Sequence, residues 1–211
     1  GAIQPRSLLA QHHLRKNEPA KALALAREAY SANPASQAAL ELLGNVQLAA
    51  GEKQNAKDSF SKLAERAPNS PAMHYKLAQS QMALNELAAA RKSLDKVLEL
   101  DRQHTQARID LAQMLLKSGQ PDEALKQAEI LKRESPGEPL GFLLEGDIHM
   151  ARKNPAAAVS AYEQAGKLKP GNAALIKLSH ALTAAGQAAE GERRLAAWLK
   201  TRPDDHAVRL A

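Results

Sequence analysis

One self-similarity governs what this chain can fold into: its landmarks recur every 34 residues, with a single step of 33. The clearest copy runs from Leu43 to Pro68. Leu43, Val46, Gln47 and Ala50 fall at helical spacing, Gly51 breaks the run, and Ala56, Phe60 and Leu63 start a second amphipathic helix that stops at Pro68. A hairpin of two short helices cannot bury its own apolar face, so it must stack on copies of itself. Laid over the rest of the chain, the pattern predicts one array over 3–205, in six units: 3–36, 37–70, 71–104, 105–138, 139–171 and 172–205. Residues 206–211 read as the start of a further unit. No polar capping helix follows it, so the sequence is expected to be part of a longer repeat protein.

Counting positions from the start of each unit, position 8 holds Ala10, Gly44, Ala78, Ala112, Gly146 and Ser179, and position 20 holds Ala22, Ala56, Ala90, Ala124, Ala158 and Gly191. Small residues at both places let two helix backbones approach closely. Position 24 holds the residues that interlock there: Ala26, Phe60, Leu94, Ala128, Tyr162 and Leu195. The turn between the helices carries Asn17, Gly51, Asn85, Gly119, Lys153 and Gly186, and Asn and Gly tolerate the left-handed backbone that ends a helix. The second helix ends at Pro34, Pro68, Pro136, Pro170 and Pro203, with Arg102 the one exception. Hydrophobic residues make up 44% of the chain but aromatics only 3%, which suits small and aliphatic helix packing, and no convincing strand alternation occurs.

These landmarks resemble the tetratricopeptide repeat over residues 3–205. The resemblance implies an all-α, right-handed superhelical solenoid of six helix-turn-helix repeats. Two departures stand out: position 4 lacks Trp, holding Arg6, Leu40, His74, Arg108, Phe142 and Leu175, and Gly191 replaces the usual Ala.

Chemistry beyond binding finds little support. The sequence contains no phosphate-cradling glycine loop, no HExxH and no GxSxG, so no enzyme is expected and no cofactor. His12 and His13 are adjacent on a helix, so their rings diverge by about 100° and cannot easily share a metal. Glu145 and His149, four apart, read as a surface pair, with Asp147 pointing elsewhere. Asp122 and Glu123 follow Pro121 at a helix start, where they complement the helix dipole. Without cysteine, disulfide and thiolate chemistry are excluded and the compartment is undecided. No apolar run is long enough to span a membrane. The net charge of +6 makes nucleic acid the first partner to test. The cations are dispersed among acids, however, and two Phe, one Trp and three Tyr offer little for base stacking, which argues against it.

The resemblance also implies that the first helices line a concave groove, with positions 2, 5, 9, 12 and 13 facing it. Position 9 is then a row of Gln11, Asn45, Gln79, Gln113, Asp147 and His180. Primary amides bond both the N–H and the C=O of an extended peptide without regard to its side chains. Beside the row, position 12 supplies Leu48, Met82, Leu116 and Met150, and position 5 supplies Tyr75, Ile109 and Leu143. These residues form the expected site for a protein or peptide segment. Two alternatives stay open: an RNA- or anionic-polymer-binding solenoid, and a structural spacer whose apolar groove residues simply pack within the array. The carboxylate clamp of some family members resembles Lys at position 5 and Asn at position 9, with Asn at position 6 of the next repeat. Asn45 matches, but Glu41 and Lys76 stand at the other two places, so that mode is excluded. The oligomeric state is not readable.

The segments LELLGNVQLAAGEKQNAKDSFSKL, HYKLAQSQMALNELAAARKSLDKVLEL, GFLLEGDIHMARKNPAAAVSAYEQA and LAAWLKTRPDDHAVRLA are similar to the tetratricopeptide lipoprotein of the bacterial exosortase (PEP-CTERM) sorting system. That resemblance implies a role in exopolysaccharide or protein sorting and export. It places the protein in the periplasm or at the outer membrane, through a lipid anchor outside these residues, with the cytoplasm left open.

Overall fold

The computed structural model describes residues 3–210; Ala211, the last residue of the expected further repeat, lies outside them. The described residues form thirteen helices and no strand. They are α1 (Ile3–Arg15), α2 (Pro19–Ala32), α3 (Gln37–Ala49), α4 (Lys53–Arg66), α5 (Pro71–Ala83), α6 (Leu87–Leu100), α7 (Thr105–Lys117), α8 (Pro121–Glu134), α9 (Leu140–Ala151), α10 (Pro155–Leu168), α11 (Asn172–Ala184), α12 (Ala188–Thr201) and α13 (His206–Arg209). Two compact units divide the chain, Gly1–Ala107 and Arg108–Ala211. In the first, α1 to α6 pack in sequence order and α1 also touches α3. In the second, α8 to α13 pack in sequence order and α11 also touches α13. Each unit is a stack of helical hairpins.

Backbone chemistry sets the hairpins. All six inter-helix turn residues have positive φ, from 56° at Lys153 to 82° at Gly51. At each, the next residue's N–H reaches back five residues, as in Glu52 N to Gln47 O at 2.8 Å and Asn154 N to His149 O at 2.9 Å. This is the Schellman closure, which satisfies carbonyls the helix leaves open. Lys153 departs from the Asn/Gly rule: its Cβ carries a steric cost of about 1–2 kcal/mol there. The second helices stop two residues before each terminating proline, and α6 stops two residues before Arg102. The same three-residue turn closes both kinds of end: Ser70 N bonds Ala67 O at 3.0 Å, and His104 N bonds Asp101 O at 3.2 Å. Proline presets a turn that Arg102 can also adopt.

Side-chain sizes at the crossings are matched in pairs. A Cβ on Gly44 would meet Phe60 Cε1 at 2.7 Å, and one on Gly146 would meet Tyr162 Cζ at 2.7 Å. Where position 24 is Ala or Leu, position 8 keeps its Cβ, as in Ala10 with Ala26 and Ala78 with Leu94, all fully buried. The last hairpin inverts the arrangement: Ser179 occupies the first helix, and a Cβ on Gly191 would lie 2.9 Å from its Oγ. The chain therefore varies on a longer period of three repeats. Ala, Phe, Leu at position 24 of the first three repeats is answered by Ala, Tyr, Leu in the last three, and Arg6 by Arg108 at position 4. Both arginines reach the second helix of their own hairpin, Arg6 to Glu28 at 3.0 Å and Arg108 to Glu134 at 3.2 Å.

Candidate peptide-binding groove

In the first unit the first helices α1, α3 and α5 present their position-9 amides to solvent: Gln11, Asn45 and Gln79 are all exposed. Gln11 shares a cavity of about 290 Å³ with Asn45, walled by Ser7, Leu14, Glu41 and Val46. Gln11 and Gln79 make no side-chain hydrogen bond to the described residues, so their donors and acceptors face solvent. Asn45 is half committed. Its Oδ1 accepts from Lys76 Nζ at 2.9 Å, which leaves its NH₂ available. Lys76 also pairs with Glu41 at 3.4 Å, so the two residues that broke the carboxylate-clamp pattern neutralise each other.

The second unit treats its row differently. Gln113 and His180 are exposed, and Gln113 makes no side-chain bond to the described residues. Asp147 is half committed, like Asn45: Tyr162 donates its hydroxyl to Oδ1 at 2.7 Å and Lys177 donates Nζ to the same oxygen at 2.6 Å, which leaves Oδ2 to accept from elsewhere. Burial, reinforced by the Asp147 charge, pushes the Tyr162 phenol far above its ordinary range, so the hydroxyl stays a donor. Both cations that bind a position-9 side chain also sit over the position-24 ring behind it, Lys76 at 5.8 Å from the Phe60 centroid and Lys177 at 6.0 Å from that of Tyr162. In the sequence, position 6 enters only through Lys76, as a departure from the carboxylate clamp, and Lys177 has no role there. The readable signal was a lysine 31 residues after Asn45 and another 30 after Asp147, each following a glycine-aromatic crossing.

The expected apolar stripe is partly spent on packing. Leu48 packs on the cluster of Leu40, Ala56, Phe60 and Leu63. Leu143 and Met150 pack on that of Ala158, Tyr162, Leu178, Ala181 and Leu182. Met82, Ile109 and Leu116 are half-buried, and the Tyr75 ring lies 4.7 Å from that of His104. Glu145 and His149 do not act as a pair, because Lys132 takes the carboxylate at 3.0 Å. His149 Nδ1 is buried with no hydrogen-bond partner. The second and third repeats explain the vacancy. Gln47 and Gln81, at the same position, each accept from a serine twelve residues on, Ser59 and Ser93, at 2.7 Å. Ala161 stands in that place behind His149. The His12 and His13 rings are 5.9 Å apart and edge-on, and His13 Nδ1 lies 2.6 Å from Glu18. Among the described residues no group of three His, Asp or Glu could hold a metal ion, and no helix is long and apolar enough to cross a membrane.

Many cations tie neighbouring hairpins together. Arg27 bonds Glu52 at 3.0 Å, Lys57 bonds Glu86 at 2.7 Å, Arg152 bonds Asp122 at 2.8 Å and Arg194 bonds Glu163 at 2.8 Å. Each such pair is worth only about 0–1 kcal/mol. They nonetheless pair these cations with acids of the same chain.

Tetratricopeptide repeat models match residues 7–71, 75–139 and 149–211, so the chain belongs to the tetratricopeptide repeat family. The chain is 32% identical to DnaJ homolog subfamily C member 3 of Bos taurus over 96 residues, which are 46% of this chain and 19% of that protein. A tetratricopeptide repeat protein from Parabacteroides merdae superposes with TM-score 0.74 at 14% identity, covering 94% of this chain and 79% of its own. YrrB, a TPR protein with an unusual peptide-binding site, superposes with TM-score 0.62 at 24% identity, covering 86% and 92%. The fold is that of a helical repeat solenoid, and proteins of this family serve as protein–protein interaction scaffolds that bind protein or peptide partners.

Proposed function

We propose that the first unit binds an extended segment of a partner protein along α1, α3 and α5, with Gln11, Asn45 and Gln79 bonding its backbone. The observation that carries this is the pair of exposed amides, Gln11 and Gln79, with no internal partner on either side of Asn45. Amides of this kind serve either polarity of a peptide group. Leu48, Tyr75 and Met82 flank them, and a methionine adapts to varied apolar side chains. The likeness to YrrB is consistent with such use. In the second unit Gln113 and His180 form a sparser row beside Ile109 and Leu116, with Asp147 between them partly committed to Tyr162 and Lys177. The test is a set of peptides selected for binding to the wild-type protein. Changing Gln11, Asn45 and Gln79 together to Ala removes bonds worth about 1 kcal/mol each. That predicts roughly a hundredfold loss of affinity with the fold intact. Unchanged affinity would sink the groove assignment.

The cellular role follows from resemblance. The four segments similar to the exosortase-associated lipoprotein support a scaffold for exopolysaccharide or protein sorting at the periplasmic face of a bacterial envelope. Fractionation of cells with metabolic labelling by radioactive palmitate tests it; a soluble cytoplasmic, unlabelled product would refute it.

A further inference from the structure

We propose that the groove between α10, α11 and α12 is a second recognition site, which takes one aromatic side chain from a partner segment carrying carboxylates beside it. At two other junctions where a second helix meets the next hairpin, a long side chain at position 28 fills the equivalent place. Tyr30 does so in the first unit, packing on the clusters of both hairpins it separates. Lys132 does so in the second, with its amine on Glu145 and 5.2 Å from the Phe142 centroid. At the next junction position 28 is Gly166, and a Cβ built there meets nothing within 4 Å. The result is a cavity of about 400 Å³ with walls of Tyr162, Leu175, Leu178 and Trp198.

Two further departures from the repeat coincide at this place. The connection through Pro170 and Gly171 belongs to the one 33-residue repeat, and both residues line the cavity. Trp198 stands where the other repeats carry Ala, Leu or Val. Its Nε1 is already bonded to Asp205 at 2.9 Å and Arg202 stacks 4.0 Å over its ring, so the indole needs no polar partner and offers its remaining surface to the cavity. An aromatic is the occupant because Tyr30 already fills the equivalent place in the first unit. The charges at the mouth choose its neighbours. Glu163 is answered by Arg194 at 2.8 Å, while Lys167 is exposed and pairs with none of the described acids. The surplus is positive, so the complementary segment is acidic. None of the amide-row residues lines this cavity, so the two sites are separable by mutation.

Trp198 is the only tryptophan in the chain, and its fluorescence excited selectively reports on this groove alone. The probes are acetyl-Glu-Phe-Glu-amide, its alanine analogue acetyl-Glu-Ala-Glu-amide and its charge-reversed analogue acetyl-Lys-Phe-Lys-amide. The first should give a saturable change, the alanine analogue none, and the lysine analogue binding at least about fivefold weaker. Gly166→Leu should abolish the response while raising the thermal midpoint, because it adds helix propensity in open space. Lys167→Glu should reverse the preference between the charged peptides. Absence of saturable binding, equal binding of the alanine analogue, or an unaltered response in Gly166→Leu would overturn the proposal. So would free toluene binding as tightly as the peptide, or a signal that follows protein concentration alone, which would make the occupant a small molecule or a second copy.

Discussion

The pairing of Gly44 with Phe60 makes a quantitative prediction about how this stack is specified. Gly44→Ala puts a methyl group 2.7 Å from Phe60 Cε1, 3.0 Å from Cζ and 3.1 Å from Cδ1. The ring is 1% exposed and wedged among Leu40, Ala56 and Leu63, so it cannot swing away cheaply. Overpacking of this kind costs about 1–3 kcal/mol. The better helix propensity of Ala returns about 1 kcal/mol, leaving a net loss of about 0–2 kcal/mol. Phe60→Leu alone thins a packed core and costs on the order of 1–2 kcal/mol. The double variant reproduces the Ala78 and Leu94 pair that the next repeat already uses, both fully buried. It should therefore be more stable than the sum of the single effects by about 1–3 kcal/mol. Urea unfolding followed by circular dichroism measures this, fitted repeat by repeat because a stack need not unfold all at once. Additivity within about 0.5 kcal/mol would show that the two positions do not set each other's size.

Other expectations follow from single residues. Ala161→Ser places a hydroxyl where Ser59 and Ser93 stand in earlier repeats, giving the buried His149 Nδ1 a donor; stability should rise by about 0.5–1.5 kcal/mol, and an unchanged urea midpoint would reject the repair. Lys153→Gly relieves a side chain held at φ 56°, and thermal melts should show a gain of up to about 1 kcal/mol after the entropy cost of Gly. Glu190 is held down to about 2 by hydrogen bonds from Arg193 and then Arg194. Its depressed folded pKa means that its contribution is complete above the ordinary carboxylate range and is lost as pH falls toward about 2. Carbon-detected NMR should find that midpoint, and Arg193→Met should raise it; a titration at the usual carboxylate pH would contradict the contact.

Much of the fold was legible because the repeat imposes chemistry at fixed places. Turn glycines and asparagines announced positive φ, small residues announced close crossings, and prolines announced helix ends. What stayed hidden depends on which residues touch across helices and between repeats. Gly44 and Phe60 each looked ordinary for their positions; only their contact shows that one dictates the other. Lys76 and Lys177 are two of many cations in the sequence, and their capture of Asn45 and Asp147 depends on the offset between adjacent hairpins. For the same reason the row containing Asp147 was readable, but the commitment of its Oδ1 to Tyr162 and Lys177 was not. Leu143 and Met150 read as groove residues, and much of their surface is used against the core. The Gly166 cavity was invisible because an absent side chain leaves no motif.

The central claim is that exposed amides in the first unit read the backbone of a bound peptide and not its side chains. Replacing single backbone N–H groups of a selected peptide by N-methyl groups tests this directly. Isothermal titration of the methylated set should show two or three positions where binding weakens by roughly five- to tenfold, matching one lost hydrogen bond of about 1–1.5 kcal/mol. Those positions should become insensitive to methylation in the Gln11, Asn45 and Gln79 triple variant. Uniform tolerance of methylation, with affinity governed only by side-chain changes, would contradict the account.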